Sequence, residues 1–456
     1  MGFYIEDYFP LLMFVALGAL LFTGYPVALV LGGIGIAFGT LGIAFDVFSG
    51  IEFFNIIVRI HGGIVENLVL TAIPMFIFMG TMLEKSGVAA DLLNTLQVLL
   101  RRIPGGLALA VTMLGTIMAA TTGIIGASVV MMTLMALPVM LERGYNKPLA
   151  TGTIASSGTL GILIPPSIML VIMGDLLATS VGTLFLAAIF PGLILAGFYM
   201  LYILAISALK PELAPPLPRE LGPDSLGELI LLVLRTFLPP VLLIVLVLGS
   251  IFGGYATPTE AAGVGALGAT VLAIGRKRLN FATLKEVVQR TALTNAMLFF
   301  IFVGATAFSY VFRSLGGDDM VVDFVESLGV GPWGLLFVLM GIVFLLGFFF
   351  DWVEITLIVL PIFTPIIELL DFGTHLPSEQ IVPWFAILVA VNLQTSFLTP
   401  PFGFALFYMK GVAPRSVRIE HIYKGIIPFV LLQLCGLGLV MAFPEIALWL
   451  PTTLLD

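Results

Sequence analysis

The chain has 456 residues, of which 60% are hydrophobic and 10% are charged, and its formal net charge is -8. A soluble domain carries roughly a quarter charged residues, so this composition excludes a water-soluble fold. The single cysteine, Cys435, excludes an intrachain disulfide and a cysteine-based metal cluster.

Apolar segments recur along the whole chain and predict membrane spans, since about 20 apolar residues cross the hydrocarbon core as a helix. The sequence therefore predicts an all-α polytopic membrane protein. The predicted spans are 9–23, 26–45, 68–84, 148–177, 181–208, 228–250, 258–275, 292–312, 382–410 and 425–450.

Two further apolar blocks, 105–141 and 333–368, have an unusual length. At 1.5 Å per residue the first would be a helix of about 55 Å, which is too long for one span and too short for two spans with a turn. Both blocks are therefore predicted to be re-entrant hairpins. Their tips are expected near 121–128 and 350–354.

The basic residues set the predicted orientation. With these assignments, 17 of the 19 Lys and Arg residues fall in segments that share one side of the membrane. Positive residues mark the cytoplasmic side. The sequence thus predicts a multi-pass protein of the bacterial inner membrane with both termini in the periplasm.

The two halves of the chain resemble each other. The segment 77–80 (Ile-Phe-Met-Gly) matches 301–304 (Ile-Phe-Val-Gly), and 159–166 matches 394–401, both of which end in Pro-Pro. The charge pattern opens the two hairpins to opposite sides, which makes the repeats inverted. Inverted repeats with interrupted helices are typical of secondary transporters.

These elements predict five regions. Two amphipathic segments, 88–102 and 279–290, are interpreted as interfacial arm helices, with a solvated loop as the alternative. The predicted regions are N-terminal scaffold spans (1–67), a first repeat (68–208, with hairpin 105–141 and broken helix 148–177), a proline-rich cytoplasmic linker (209–227), scaffold spans with an arm helix (228–291), and a second repeat (292–450, with hairpin 333–368 and broken helix 382–410).

The paired prolines mark the predicted site. Proline removes a backbone donor, so Pro165-Pro166 and Pro400-Pro401 must unwind their helices locally. Unwound backbone in the membrane is tolerated only where it is buried in protein or lines a polar cavity. The alternative is that the prolines merely kink packed helices. Polar residues cluster at both breaks: Ser156, Ser157, Thr159, Ser167, Asn392, Gln394, Thr395, Ser396 and Thr399.

The predicted hairpin tips bring further polar groups towards the breaks. The second tip contains Asp351 and Glu354, which share a helix face because they are three residues apart. Ionisable residues inside a membrane are costly and by default functional. A pair that only caps the second helix of the hairpin is the alternative. Asp175 and Glu260 lie near span ends and are interpreted as interfacial.

Enzyme signatures are absent from the sequence, which has neither a P-loop nor a His-Glu-x-x-His pattern. The chain is therefore predicted not to be an enzyme. A remote alternative is an intramembrane aspartyl protease that uses Asp175 and Asp351. A scaffold subunit without a translocation path is another alternative.

Several motifs resemble the large (M) subunit, DctM, of tripartite ATP-independent periplasmic (TRAP) transporters over nearly the whole chain. The acidic hairpin tip together with Gln394-Thr-Ser resembles the branch labelled mannitol/chloroaromatic transport, whose members are linked to 2-oxo acids, lactate and aromatic carboxylates. The motifs are Ala72-Ile-Pro74, Glu142-Arg-Gly-Tyr145, the segment 158–167 containing Ile-Pro-Pro-Ser, Phe350-Asp351, and the segment 392–403 containing Leu-Thr-Pro-Pro-x-Gly.

The resemblance implies an elevator-type, Na⁺-coupled importer of a small organic acid. It also implies two partners, a small four-helix membrane subunit (Q-type) and a periplasmic substrate-binding protein, and no nucleic acid. A self-sufficient Na⁺/dicarboxylate-type symporter of related architecture is the main alternative.

On this basis residues are assigned to two Na⁺ sites and a substrate site between the breaks. The predicted Na⁺ ligands are Thr121, Thr122, Gly123, Ser157 and Gly158 in the first half, and Asp351, Asn392, Thr395 and Thr399 in the second. The predicted substrate-binding residues are Thr122, Ser128, Ser157, Thr159, Pro166, Asp351, Thr395 and Pro401.

Overall fold

The structure is a computed structural model that describes residues 8–122, 125–217, 222–223, 225–327, 329–368, 370–400 and 403–455. Over these residues the chain consists of α-helices joined by turns, which confirms the all-α prediction. The helices of the first half are α1 (Phe9–Leu21), α2 (Val27–Ala44), α3 (Gly50–Ile60), α4 (Ala72–Lys85), α5 (Val88–Leu100), α6 (Gly106–Thr122), α7 (Ile125–Glu142), α8 (Lys147–Thr159), α9 (Ile168–Leu176) and α10 (Val181–Leu209).

The helices of the second half are α11 (Leu226–Phe252), α12 (Pro258–Gly275), α13 (Phe281–Ser314), α14 (Gly317–Ser327), α15 (Pro332–Leu346), α16 (Trp352–Glu368), α17 (Ile381–Ser396), α18 (Phe404–Val412), α19 (Ile419–Ala442) and α20 (Glu445–Leu455). Of these, α13 to α18 follow the same order as α4 to α9: two successive helices, then a helix pair, then a broken helix.

Six of the described helices are long and apolar enough to cross a membrane alone, and a seventh span results if one bent pair is counted. The two parts of each broken helix are individually shorter than a membrane span, so the broken helices are not among these six. This arrangement agrees with a multi-pass membrane protein.

The N-terminal region contains a helix that the span prediction did not include. Helix α3 begins at a capping box in which the Ser49 hydroxyl accepts a hydrogen bond from the Glu52 amide and the Glu52 carboxylate accepts one from the Ser49 amide. The segment from Gly50 to Val65 and the following helical segment to Lys85 meet at a bend of 54°. The predicted span 68–84 is therefore the second arm of a bent pair.

The predicted arm 279–290 and span 292–312 form one helix, α13, of 34 residues. No glycine or proline occurs between Phe281 and Val303, so nothing in the sequence interrupts the backbone hydrogen bonds. The predicted boundary at 291/292 between the scaffold region and the second repeat therefore lies inside a continuous helix.

The predicted single span 425–450 is two helices in the structure. Helix α19 begins earlier, at Ile419, and ends at Ala442, and α20 follows from Glu445. Pro444 explains the interruption, because a residue that precedes proline is disfavoured in helical conformation. Phe443 accordingly leaves the helical region.

The two predicted hairpin segments are occupied by the helix pairs α6/α7 and α15/α16. The open ends of the first pair lie together, since the Leu107 amide at the start of α6 donates a hydrogen bond of 3.2 Å to the Tyr145 hydroxyl just beyond α7. The two predicted broken helices are α8/α9 and α17/α18, which are interrupted at 160–167 and 397–403.

The helices pack in two groups. We call α1, α2, α4, α11, α12 and α13 the scaffold group, and α6–α10 with α15–α20 the core group, in which α8 and α17 are central. Ion pairs Lys85–Glu286 (2.5 Å) and Glu84–Arg290 (2.9 Å) join the last turn of α4 to the start of α13. The equivalent helices α4 and α13 therefore run antiparallel, as inverted repeats require.

Candidate functional site

A cavity of about 430 Å³ lies between the scaffold and core groups. Three parts of the core group meet at it: Gly126 and Ala127 at the start of α7, residues 351–354 at the start of α16, and Phe397 and Phe404, which flank the second helix break. Parts of both helix pairs and of the second broken helix thus line one cavity. We call it the central cavity.

The scaffold wall of the central cavity carries an ion pair. Arg290 of α13 donates from Nη1 to Glu84 Oε1 of α4 at 2.9 Å, and both residues line the cavity. Thr81 and Thr294 line the same wall. The positive charge of Arg290 is therefore balanced by a carboxylate on its own side of the cavity.

The core wall has two carboxyl groups, and neither forms an ion pair with a basic side chain among the residues that the structure describes. Asp351 Oδ1 accepts a hydrogen bond of 2.8 Å from the Trp352 amide, the first residue of α16. Glu354 is 7% exposed, and its Oε2 atom has no hydrogen-bond partner in the protein. Asp351 is thus partly engaged at the helix start, as the capping alternative expects, whereas Glu354 keeps an acceptor available.

The second break holds the residues of one predicted cation site. Asn392 Nδ2 donates to the Met340 carbonyl of α15 at 2.7 Å, which leaves Oδ1 buried without a partner. The hydroxyl of Thr395 donates to the Asn392 carbonyl, and that of Thr399 donates to the Thr395 carbonyl. Each hydroxyl oxygen keeps lone pairs free, and such oxygens are hard ligands that suit Na⁺.

Two sequence neighbours of these residues are also buried and unsatisfied. Neither polar atom of the Gln394 side chain has a hydrogen-bond partner, and the same holds for the Ser396 hydroxyl. A buried polar group without a partner costs about 1–3 kcal/mol. Several buried polar groups without a partner around one helix break are expected where these groups bind a ligand.

The polar groups at the first break are bonded within the protein. Ser157 Oγ donates to Thr112 Oγ1 of α6 at 3.2 Å, and Thr159 Oγ1 donates to the Ser156 carbonyl at 2.9 Å. The Ser167 hydroxyl donates to the Ile162 carbonyl and caps α9. Gly158 packs against the Val129 side chain of α7, where a Cβ atom would clash.

The predicted substrate-binding residues fall into three sets. Asp351 lines the central cavity. Thr122 ends α6, and its side chain, like that of Thr121, is not among those described, while Gly123 and Pro401 lie outside the described residues. The rest are buried and do not line it: Ser128, Ser157, Thr159, Pro166 and Thr395.

A second cavity, of about 810 Å³, lies at the other end of α13. Asp175 lines it and accepts a hydrogen bond of 2.6 Å from Asn67 Nδ2. Arg313 donates to the Pro361 carbonyl, which has no helical donor because Pro365 lacks an N–H. Asp175 and Asp351 line different cavities, so they do not form the dyad that a protease requires.

Sequence reasoning missed the scaffold side of the cavity. Glu84 and Arg290 line it, and neither was predicted as a site residue; the same is true of Tyr408 on the core side. The signal was present in the charges: Glu84-Lys85 ends one span and Glu286 with Arg290 begins its repeat partner, so opposite charges meet once the repeats pack antiparallel.

Comparisons with known proteins agree on one family. A family model described as "Tripartite ATP-independent periplasmic transporter, DctM component" matches residues 14–446. The chain is 32% identical over 391 residues to the C4-dicarboxylate TRAP transporter large permease protein DctM of Pseudomonas aeruginosa, covering 85% of this chain and 87% of that protein. It is 30% identical over 458 residues to the isethionate TRAP transporter permease protein DctMQ of Oleidesulfovibrio alaskensis, covering 98% and 67%.

A solved structure shares the fold. The YdaH transporter of Alcanivorax borkumensis, whose crystal structure was described as revealing an unusual topology, matches with a TM-score of 0.58. The match covers 89% of this chain and 90% of that chain at 14% sequence identity. At this identity the likeness concerns the fold alone.

Proposed function

The chain belongs to the DctM family of tripartite ATP-independent periplasmic transporters, and from this membership we propose that it imports a small organic acid across the bacterial inner membrane, coupled to Na⁺. As a large permease subunit it is a multi-pass transport protein and not an enzyme. The match over residues 14–446 is the observation that carries the transport function.

Charge in the central cavity supports coupling to a cation. Glu84 and Arg290 offset each other, whereas the core wall has the acidic residues Asp351 and Glu354 and no basic side chain among its described lining residues. An organic anion 4 Å from a carboxylate is repelled by about 4 kcal/mol at an effective dielectric constant of about 20. Bound cations remove this repulsion. The unsatisfied oxygens of Asn392, Gln394 and Ser396 are available to hold them.

We assign one Na⁺ to Asp351, Asn392, Thr395 and Thr399 and a second to the first break, with Thr121, Thr122, Gly123, Ser157 and Gly158. The second break contributes side-chain oxygens, whereas the first would contribute mainly backbone carbonyls around its interruption. Half-helix ends with unwound backbone are the usual coupling-ion ligands of inverted-repeat transporters.

An elevator movement fits the two helix groups. The core group contains both hairpins and both breaks, and the scaffold group faces it with α13. The central cavity touches α13 at 290–301 and the 810 Å³ cavity touches it at 302–314. Displacement of the core group along α13 would close one cavity and open the other. In this proposal both termini are periplasmic and the central cavity faces the cytoplasm.

Two partners belong to the proposal: a small Q-type membrane subunit and a periplasmic substrate-binding protein. The name DctMQ of the Oleidesulfovibrio alaskensis relative, of which this chain covers 67%, supports the membrane subunit. The names of the relatives specify different cargoes, a C4-dicarboxylate and isethionate. Family membership therefore leaves the cargo open, and the 2-oxo acid, lactate and aromatic carboxylate branch stays a prediction.

The test is uptake into proteoliposomes that contain this chain and its small subunit, with the binding protein supplied outside. We expect uptake to require a sodium gradient and to fall to background in the variant Asp351→Ala/Thr395→Ala, because both change one cation site. The matched control is Glu228→Ala/Thr133→Ala, which removes an exposed carboxylate and a buried hydroxyl bonded to its own helix.

Three results would change the proposal. Sodium-independent uptake, or unchanged sodium dependence in the double variant, contradicts the coupling. Uptake without the binding protein identifies the chain as a self-sufficient symporter instead.

A further inference from the structure

Arg290 has an exceptional position in the central cavity. Among the described residues that line this cavity it is the one with a basic side chain, whereas Glu84, Asp351 and Glu354 are acidic. Its side chain is 44% exposed, and its hydrogen bond to Glu84 uses one Nη atom. A guanidinium carries several N–H donors in a planar fork, so donors remain for a second carboxylate.

The core group contributes four aromatic side chains to the central cavity, which together we call the aromatic wall. Trp352, Phe397, Phe404 and Tyr408 of the core group form this wall, and the Tyr408 ring lies so close to Gly126 that a Cβ atom there would be 2.9 Å away. Met297, Leu298 and Ile301 of α13 add apolar surface on the scaffold side. A ligand that fills this cavity therefore needs an apolar body.

We propose that Arg290 holds the carboxylate of the cargo, and that the cargo is a monocarboxylate with an apolar body packed against the aromatic wall. This inference rests on the proposed function, since it identifies the cargo class of the same cavity. A bidentate arginine–carboxylate contact gives both charge neutralisation and orientation. Small-molecule sites commonly combine an apolar lining with a few polar anchors of this kind.

The cavity selects one carboxylate rather than two. A second carboxylate on a compact cargo would face the core wall, whose described lining residues include Asp351 and Glu354 but no basic side chain. A cation at the second break removes repulsion from this wall but supplies no second guanidinium to bind the carboxylate. The cargo class therefore differs from the C4-dicarboxylate in the name of the Pseudomonas aeruginosa relative.

Glu84 sets the strength of the site. It is 17% exposed and competes with the cargo for the same guanidinium. Because it is a carboxylate, it also repels an incoming anion. Neutralising Glu84 should therefore strengthen anion binding, whereas neutralising Arg290 should weaken it. Effects of opposite sign from the two partners of one ion pair distinguish a ligand role from a purely structural role.

The experiment measures equilibrium binding to the complex of this chain and its small subunit by isothermal titration calorimetry in sodium buffer. The probes are benzoate, phenylacetate and phenylpyruvate as aromatic monocarboxylates, succinate as the dicarboxylate, and benzamide as the neutral counterpart of benzoate. We expect at least one aromatic monocarboxylate to bind at least tenfold more tightly than succinate, and benzoate more tightly than benzamide.

Variants then assign the carboxylate contact. Arg290→Gln should weaken monocarboxylate binding at least tenfold and abolish discrimination against benzamide, and Arg290→Lys should restore part of both. Glu84→Gln should tighten binding severalfold. The control Lys85→Gln breaks the neighbouring pair with Glu286, which joins the same two helices but does not line the cavity, and should change binding less than twofold.

The outcomes are decisive. If no monocarboxylate binds, or if succinate binds equally well, the cargo class is wrong. If Arg290→Gln and Lys85→Gln have the same effect, or if discrimination against benzamide survives in Arg290→Gln, Arg290 is not the anchor. Binding is measured without a sodium gradient and without the binding protein. A failure of coupled uptake would therefore not alter the conclusion drawn from binding.

Discussion

The two broken helices share a double proline and differ in what their polar side chains bind. At the first break, Ser157, Thr159 and Ser167 all donate hydrogen bonds to protein oxygens. Around the second, buried atoms of Asn392 and Gln394 have no partner in the protein. The second half also provides both carboxylates of the core wall. The two breaks thus differ: hydrogen bonds within the protein engage the polar side chains of the first, whereas the second leaves buried oxygens without a partner.

A glycine packs closely against each broken helix, and the atoms that it approaches differ between the two breaks. A Cβ atom on Gly115 of α6 would lie 2.6 Å from the backbone oxygen of Ser157. A Cβ atom on Gly347, next to α15, would meet Ser396 Oγ and lie 2.8 Å from Ser396 Cβ. Rotation of the serine side chain moves Oγ but not Cβ, so part of the close approach remains, whereas at Gly115 the backbone oxygen cannot move without disturbing its helix.

The largest expected effect follows from this difference. Gly115→Ala should lower the stability of the complex by about 3 kcal/mol, and Gly347→Ala by about 1 kcal/mol, because overpacking against fixed atoms costs most. Thermal unfolding of the purified complex measures both. Gly341→Ala, on α15 with nothing within 4 Å, is the control and should be neutral or slightly stabilising. Equal losses of stability in Gly115→Ala and Gly347→Ala would contradict the proposed difference in packing between the two breaks.

The next effect concerns the orphan amide of the second break. Gln394→Leu removes two unsatisfied buried atoms, so stability should be unchanged or rise by about 1 kcal/mol. If these atoms serve the bound ion, the sodium concentration for half-maximal uptake should rise at least tenfold. A variant that loses stability and keeps its sodium response would show that Gln394 has a packing role only.

The smallest effect tests the first break. Ser157→Ala and Thr112→Val each remove the same 3.2 Å hydrogen bond, and each should cost about 1 kcal/mol. Only Ser157→Ala also removes the proposed Na⁺ ligand, so it alone should raise the half-maximal sodium concentration, by a few-fold. Sodium titrations of uptake for the two variants provide the comparison. Identical titrations would leave Ser157 as a structural residue.

Much of the architecture followed from local patterns. Apolar length predicted the spans, and the Pro-Pro pairs predicted where α8/α9 and α17/α18 are interrupted, because a missing N–H acts within a few residues. The same local reasoning placed a boundary at 291/292 that α13 does not have. It also passed over α3, whose start depends on the Ser49–Glu52 capping box.

The candidate site was only half visible in the sequence. Asp351 and Glu354 stood out because charge is rare in apolar segments, and both line the central cavity. Arg290 and Glu84 did not stand out, because both lie at span ends where charges are common. Their importance depends on which cavity they face, and that is a property of packing.

By itself, then, the sequence determined that this is an all-α membrane protein with two related halves, two interrupted helices and an acidic hairpin tip. These features depend on residues close together in the chain. Only the tertiary structure decided that α4 and α13 run antiparallel, that Arg290 and the aromatic wall line one cavity, and that hydrogen bonds satisfy one break and leave atoms of the other unpaired. Such contacts join residues far apart in sequence, and no local pattern specifies which of them meet.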